Sequence, residues 1–370
     1  MTSPAERVRI EPRRSAATAL SRIRTGLEDI RSNAADLDRR GAFPEADVLE
    51  LARIGALQAF GADEATALEL MEALRLVGRA NLSLGRIFEG HVNGAGLVRW
   101  YGTSGQTAAL ADDLAAGALF GVWNTEPAPG VKIRRQGHGW VLQGSKSYAT
   151  GAGYVQRALI TAETSHGERQ LVLVDGARPE RADPSAWAVR GMRATCSGTY
   201  DLTDMPVEDG QLIGAPGDYL REPRFSAGAW RFTAVQLGGI EHILILLRDH
   251  LSIGELDPIR AARFGAVLAE VRSAYLWVRE AAVQAEAENA GEDAVAMVLM
   301  ARGVVERAGL AVMEAATRTV GTKAFFADHP LDQACRDLGL YLRQPVPDQA
   351  LDRAARAFVA RDAWRDDPLW

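Results

Sequence analysis

Two segments decide how this chain is read: Trp123-Asn124-Thr125-Glu126-Pro127-Ala128-Pro129-Gly130 and Gly144-Ser145-Lys146-Ser147-Tyr148-Ala149-Thr150-Gly151. Each follows a short apolar run and breaks into proline or glycine, which is how strands end in turns. A second reading uses the same residues. Two neighbouring strand ends offer backbone N–H groups, the hydroxyls of Thr125 and Thr150, and the aromatic face of Tyr148. Flat packing with a few donors is what a planar heterocycle needs from a protein. Both readings require strands, so the middle of the chain is β.

Outward from these segments the strand texture persists. Leu119–Trp123, Gly139–Leu142, Ala158–Ala162, Leu171–Val174, Trp187–Val189 and Thr199–Leu202 are short apolar or alternating runs separated by Gly, Pro and Asp, which predicts antiparallel strands. No glycine-rich turn opens a helix and strands do not alternate with helices, which argues against a doubly wound nucleotide-binding sheet. Before the strands, from Arg13 to Ala116, apolar residues fall at helical spacing, as in Leu70, Leu74 and Val77. Roughly five helices fit, with Ser104 as the cap of the last. After Pro223 the helical period returns. Phe264, Val267, Leu268, Val271, Tyr275, Val278 and Ala282 make one stripe, and Val295–Ala316 is apolar over more than half its circumference. About four or five bundle helices are expected there. The fold class is therefore mainly α with a central β-domain: a helical domain over residues 1–117, a small antiparallel β-barrel over 118–222, and a helical bundle over 223–370.

Composition narrows the function. With 370 residues, 47% hydrophobic and 24% charged, the chain has globular composition. Its net charge of −6 disfavours nucleic acid or an anionic membrane as the main partner. Cys196 and Cys335 are distant in sequence and support no disulfide framework, and no His or carboxylate pair has metal-ligand spacing. The N-terminus lacks the apolar centre of a secretory signal. The run Val295–Val312 is interrupted by Arg302, Glu306 and Arg307, each costing about 2.5 kcal/mol at bilayer depth. A cytoplasmic protein with no membrane span is expected.

The order helical, β, helical, together with Thr125-Glu126-Pro127, Gly144-x-Lys146-x-Tyr148-Ala149-Thr150, Gly191-Met192-Arg193-Ala194-Thr195 and Ser197-Gly198, resembles the acyl-CoA dehydrogenase superfamily. Ile213-Gly214-x-Pro216-Gly217-Asp218-Tyr219, Arg263-Phe264-Gly265, Pro330-Leu331 and Arg336-Asp337 agree in order and spacing. The resemblance implies a non-covalent FAD whose ring lies between the β-domain and the C-terminal bundle. Asn124 and Thr125 fall at the pyrimidine edge, and Tyr148, Ala149 and Thr150 fall where the family has Trp-Ile-Thr against the ring. Val131 stands at a family serine. For the pyrophosphate, completed by a second subunit, the resemblance nominates Arg260 or Arg263, Arg272, and the turn Arg318-x-x-Gly321-Thr322. Gln349 matches a polar flavin contact, and a homodimer or homotetramer follows.

The family's catalytic glutamate is the point of departure. Its two known positions fall on Pro345 and Phe232 here, and neither is an acid. Asp348 is the nearest carboxylate, with an alternative job as helix N-cap for Gln349 to Ala363. His91 lies on a helix whose family counterpart borders the substrate cavity, and it is either packed or an acid/base. His138 and His166 read as solvated loop residues and His329 as a turn residue. Three functions stay open: dehydrogenation of an acyl thioester with an atypical base, a flavin-dependent monooxygenase or oxidase acting on a small non-CoA substrate, and a non-catalytic binding protein.

Overall fold

A computed structural model describes residues 15–62 and 64–360. The arginine-rich N-terminal stretch and the expected helix end at Ala363 lie outside the described residues. Six α-helices come first: α1 (Ala16–Arg40), α2 (Glu45–Arg53), α3 (Ala56–Gly61), α4 (Ala67–Ala80), α5 (Leu82–Tyr101) and α6 (Ser104–Ala115). Ten strands follow: β1 (Phe120–Trp123), β2 (Lys132–Gln136), β3 (Gly139–Gln143), β4 (Ser145–Lys146), β5 (Val155–Glu163), β6 (Arg169–Gly176), β7 (Ala182–Asp183), β8 (Thr199–Asp201), β9 (Met205–Val207) and β10 (Leu212–Ile213). The helices then resume as α7 (Arg224–Ala227), α8 (Trp230–Leu251), α9 (Pro258–Ala285), α10 (Glu292–Val320), α11 (Pro330–Tyr341) and α12 (Pro347–Val359). No helix among the described residues is long and apolar enough to cross a membrane.

The chain divides into two compact units, and the first holds residues up to 73, 86–189 and 193–219. Its seven-stranded sheet runs β10-β6-β5-β2-β3-β9, with β1 also paired to β5, and β4-β8-β7 form a second small sheet. β6 takes one edge of β5; along the other, β1 pairs in parallel from Phe120↔Arg157 to Trp123↔Ile160 and β2 reaches Glu163. The sheet is thus mixed rather than wholly antiparallel, because the long connection from β1 to β5 lets the two strands run the same way. Leu97, Val98, Leu110 and Leu114 of α5 and α6 pack on Phe120, Leu159, Leu171 and Ile213 of the sheet, giving one dry core.

Several local expectations are corrected. Thr103, not Ser104, caps α6: its hydroxyl accepts from Gln106 N–H while the Gln106 side chain accepts from Thr103 N–H. Trp187–Val189 is not a strand; the residues before it form a 3-10 turn after Pro184, and proline there removes a ladder donor. Strand β2 escaped the sequence reading because Ile133 is its one buried residue among Lys132, Arg134 and Arg135. Its pairing comes from the hairpin with β3, turned at Gly137 with φ 62°.

The second unit holds residues 74–85, 190–192 and those from 220 onward. Here α10 is buried along most of its length from Ala294 to Ala316, enclosed by α8, α9 and α12. The stripe on α9 is real for Val267, Val271, Val278 and Ala282, whereas Leu268 faces solvent. Residues 190–192 dock on α11: Asp337 accepts from Met192 N–H at 2.5 Å and Arg336 donates to the Arg190 carbonyl. Two motif pieces far apart in sequence are thereby joined. The C-terminal half of α4 crosses α8 so closely that a Cβ at Gly238 would lie 2.1 Å from the Arg75 carbonyl oxygen.

That crossing admits hydrogen only, and helix backbone has no spare room to retreat. Gly238→Ala is expected to destabilise the protein by about 2 kcal/mol or more, in the range of overpacking substitutions. Gly26→Ala, on α1 with open space around it, serves as the control and should be neutral or slightly stabilising. Urea unfolding of both variants checks this; equal stability of the two would refute the crossing.

Candidate functional site

The two segments that decide the fold meet around Lys146, a fully buried ammonium. Its Nζ donates to Glu126 at 2.5 Å, to the Asn124 carbonyl at 3.1 Å and to the Thr161 hydroxyl at 3.1 Å. Thr161 in turn donates to Asn124 Oδ1 at 2.8 Å, and Arg169 pairs with the other Glu126 oxygen. Burial pulls the Lys146 ammonium down to about 8, with Glu126 opposing it. Burial pushes the Glu126 carboxyl up, but the hydrogen bonds from Lys146 and Arg169 win and hold it below its ordinary value. Glu126 is therefore an anchor of the turn, as its place in the motif suggests.

The anchored strand ends display what a ring requires. Asn124 and Thr125 are exposed, and the Thr125 hydroxyl and Asn124 Nδ2 meet no protein acceptor among the described residues. The Thr125 carbonyl accepts from Ser147 N–H at 3.0 Å, holding the segments side by side. Tyr148 takes a left-handed φ of 52° and is 59% exposed, its ring edge-on to Trp187 at 5.9 Å. A left-handed non-glycine residue is uncommon and here turns an aromatic face outward. Ala149 is buried and bonds through its N–H to the Gly198 carbonyl. Thr150 differs from expectation. Its hydroxyl is 3.0 Å from Ser197 Oγ, which is 2.8 Å from Thr195 Oγ1, so it braces the Ser197-Gly198 segment instead of facing outward. An outward aromatic face beside an unpaired hydroxyl and amide fits a flavin ring.

His91 is corrected from candidate acid/base to structural pin. It is fully buried, Nε2 is 2.8 Å from the Leu57 carbonyl and Nδ1 accepts from Phe120 N–H at 3.1 Å. The neutral tautomer protonated on Nε2 satisfies both bonds. Burial lowers its pKa to about 4. It ties α5 to α3 and to β1, and no nitrogen is left for chemistry.

In the second unit the nominated phosphate ligands separate. Arg263 donates to the Thr319 hydroxyl at 3.2 Å, which ties it to the last turn of α10. Arg318 pairs with Glu314 at 3.0 Å, Thr322 is exposed, and a Cβ at Gly321 would meet nothing within 4 Å. Arg260 pairs with Asp257 at 3.1 Å in the first turn of α9. Arg272 lies over the Tyr275 ring at 5.0 Å, about 13 Å along the helix from Arg263 at 1.5 Å per residue. The structure thus ties Arg263 to Thr319 at the end of α10, pairs Arg318 and Arg260 with acids on their own helices, and sets Arg272 on Tyr275 roughly two to three turns further along α9.

The place expected for a catalytic carboxylate holds an arginine. The Arg302 guanidinium carbon is 5.1 Å from the Phe232 ring centre, and Nη2 donates to the carbonyls of Pro345 at 2.5 Å and Gln344 at 3.3 Å. Phe232 and Pro345 are the two positions at which the resemblance looks for a glutamate. Asp348 and Gln349 are exposed in the first turn of α12. Asp348 is not the N-cap; that position is Val346, at φ 43°, with no side-chain cap. Sequence reasoning used Arg302 only to exclude a membrane span. A charge inside the apolar run of α10 was the signal that could have found it. Among the described residues no group of three His, Cys, Asp or Glu is placed to hold a metal.

No protein-family model matches the chain. The dibenzothiophene monooxygenase of Rhodococcus erythropolis is 28% identical over 241 residues, covering 60% of this chain and 57% of that one. The match therefore spans little more than half of that relative. Mitochondrial isobutyryl-CoA dehydrogenase of Dictyostelium discoideum is 22% identical over 361 residues, covering 89% and 84%. Among solved structures, TdsC from Paenibacillus sp. A11-2 with FMN and indole superimposes with a TM-score of 0.83 at 20% identity, covering 92% of this chain and 97% of that one. The fold is acyl-CoA dehydrogenase-like, mostly helical about a central curled sheet.

The His91 pin makes stability pH-dependent. Its folded pKa lies below the unfolded value, so the unfolded chain takes up the proton first; stability is full above about 6.5 and falls as pH drops toward 4. The loss from this group is about 3 kcal/mol. Urea unfolding between neutral pH and pH 4 should show this slope in the wild type and a shallower one in His91→Gln; equal slopes would contradict the assignment.

Proposed function

We propose that this chain is a flavin-dependent monooxygenase acting on a small, non-thioester substrate. One observation carries the reading: both positions for a proton-abstracting glutamate lack an acid, and the Arg302 guanidinium sits between them. Dehydrogenation of a thioester needs a base beside the α-carbon. A guanidinium stays protonated and cannot serve. Asp348 is exposed and points to no such role. Relatives with monooxygenase names and the FMN-bound TdsC fold support the same reading.

When bound, the flavin supplies reducing electrons to dioxygen. The chain's own residues would hold it: Tyr148 would pack against the ring, and Thr125 and Asn124 would give donors to its polar edge. Lys146 and Glu126 keep those strand ends from moving. Arg263 and the exposed Thr322 would receive phosphate from a flavin held by a second copy of the chain. FMN is favoured over FAD because the similar fold of TdsC is found with FMN.

Purified protein given FMN and a reductase should consume oxygen in a substrate-dependent way and stay oxidised when butyryl-CoA is added without oxygen. Anaerobic bleaching by the thioester would overturn the reading. Tyr148→Ala should weaken FMN binding about tenfold, since stacking of a planar base on an aromatic is worth roughly 1–3 kcal/mol. A flavin titration measures it.

A further inference from the structure

A guanidinium inside an apolar helix needs a reason. Arg302 is flanked on α10 by Ala301, Val298, Val304 and Val305, all buried. The acid one turn on, Glu306, pairs with Arg343 at 2.8 Å, and Arg302 has no carboxylate at ion-pair distance among the described residues. Only Nη2 is bonded, to two carbonyls. Nε and Nη1 meet no protein acceptor, yet they are not sealed from solvent. The group is fixed in orientation by the Phe232 face and the Pro345 carbonyl, and its remaining donors are held ready.

The segment it grips is itself strained. Val346, next to Pro345, has φ 43°. A β-branched residue in the left-handed region is a true outlier, and such strain persists only where surrounding structure imposes it. The grip of Arg302 on Gln344 and Pro345 is part of that surround. Loop bracing occupies Nη2 alone and leaves Nε and Nη1, with only the longer-range charge of Glu306 in their favour, to face outward.

We propose that Arg302 is a specificity-determining residue that binds an organic oxyanion, a carboxylate or its sulfur analogue, on the substrate; this rests on the monooxygenase reading for calling the ligand a substrate. The site exchanges the proton-abstracting carboxylate of an acyl-CoA dehydrogenase for a cation, and the preferred substrate changes from neutral thioester to small anion. Charge-assisted hydrogen bonds to a fixed guanidinium supply the recognition.

Benzoate and benzamide are matched in shape and differ in charge, so the full-length protein titrated calorimetrically with each tests the idea. Wild type should bind benzoate at least about tenfold tighter. Arg302→Gln should erase that preference with flavin content and thermal melting unchanged, and Arg302→Lys should keep part of it. Equal affinity of wild type for the two probes, or no binding of benzoate, overturns the proposal, as does a preference that survives in Arg302→Gln. Should that variant not fold, the wild-type comparison decides alone. Flavin content separates the two readings: a colourless protein that still prefers benzoate keeps the anion site and loses the monooxygenase, whereas a yellow protein without preference does the reverse.

Discussion

A buried ammonium must be surrounded by oxygen, and the first unit is organised around meeting that demand for Lys146. The three acceptors come from the end of β1, the turn after it and β5. None of these segments can shift without exposing a charge to a dry interior, where an unpaired ion costs several kcal/mol. The outward placement of Asn124, Thr125 and Tyr148 is a by-product of this inward fixation. Arg169 brings a second cation to Glu126 from β6, so four parts of the sheet converge on one carboxylate and the ammonium beside it.

Most of the architecture was legible because its signals are periodic. Helical spacing before Ala116 and after Pro223, and short runs between, placed the elements without any contact information. The failures have a common physical origin. Strand β2 carries Lys132, Arg134 and Arg135 and is a strand only because β3 and β5 supply its partners. Trp187 looked like strand and is the edge-on neighbour of Tyr148. Parallel pairing of β1 with β5 leaves no trace in local pattern. In each case a tertiary neighbour outweighed local preference.

The site was legible in its aromatic and polar rim and illegible in its charges. Tyr148, Asn124 and Thr125 were nominated from residue type at a strand end, and the structure leaves all three exposed. His91 was weighed as an acid/base because sequence cannot show that Leu57 and Phe120 claim both nitrogens. Arg260, Arg263, Arg272 and Arg318 looked equivalent until the structure gave each its own partner: Asp257, Thr319, the Tyr275 ring and Glu314. Arg302 was hidden by the run that surrounds it, since a lone charge among apolar residues is read first as an interruption.

The arginine proposed to bind a substrate anion would also change what acidity can do to this protein. Burial lowers the Arg302 guanidinium only to about 10, so it keeps its proton at neutral and acid pH. A carboxylate base is switched off by mild acid; a site resting on Arg302 has no such titration of its own. Acid then acts on the scaffold, where burial and the bonds to Leu57 and Phe120 hold the imidazole of His91 uncharged, and a fall in pH is felt in folding.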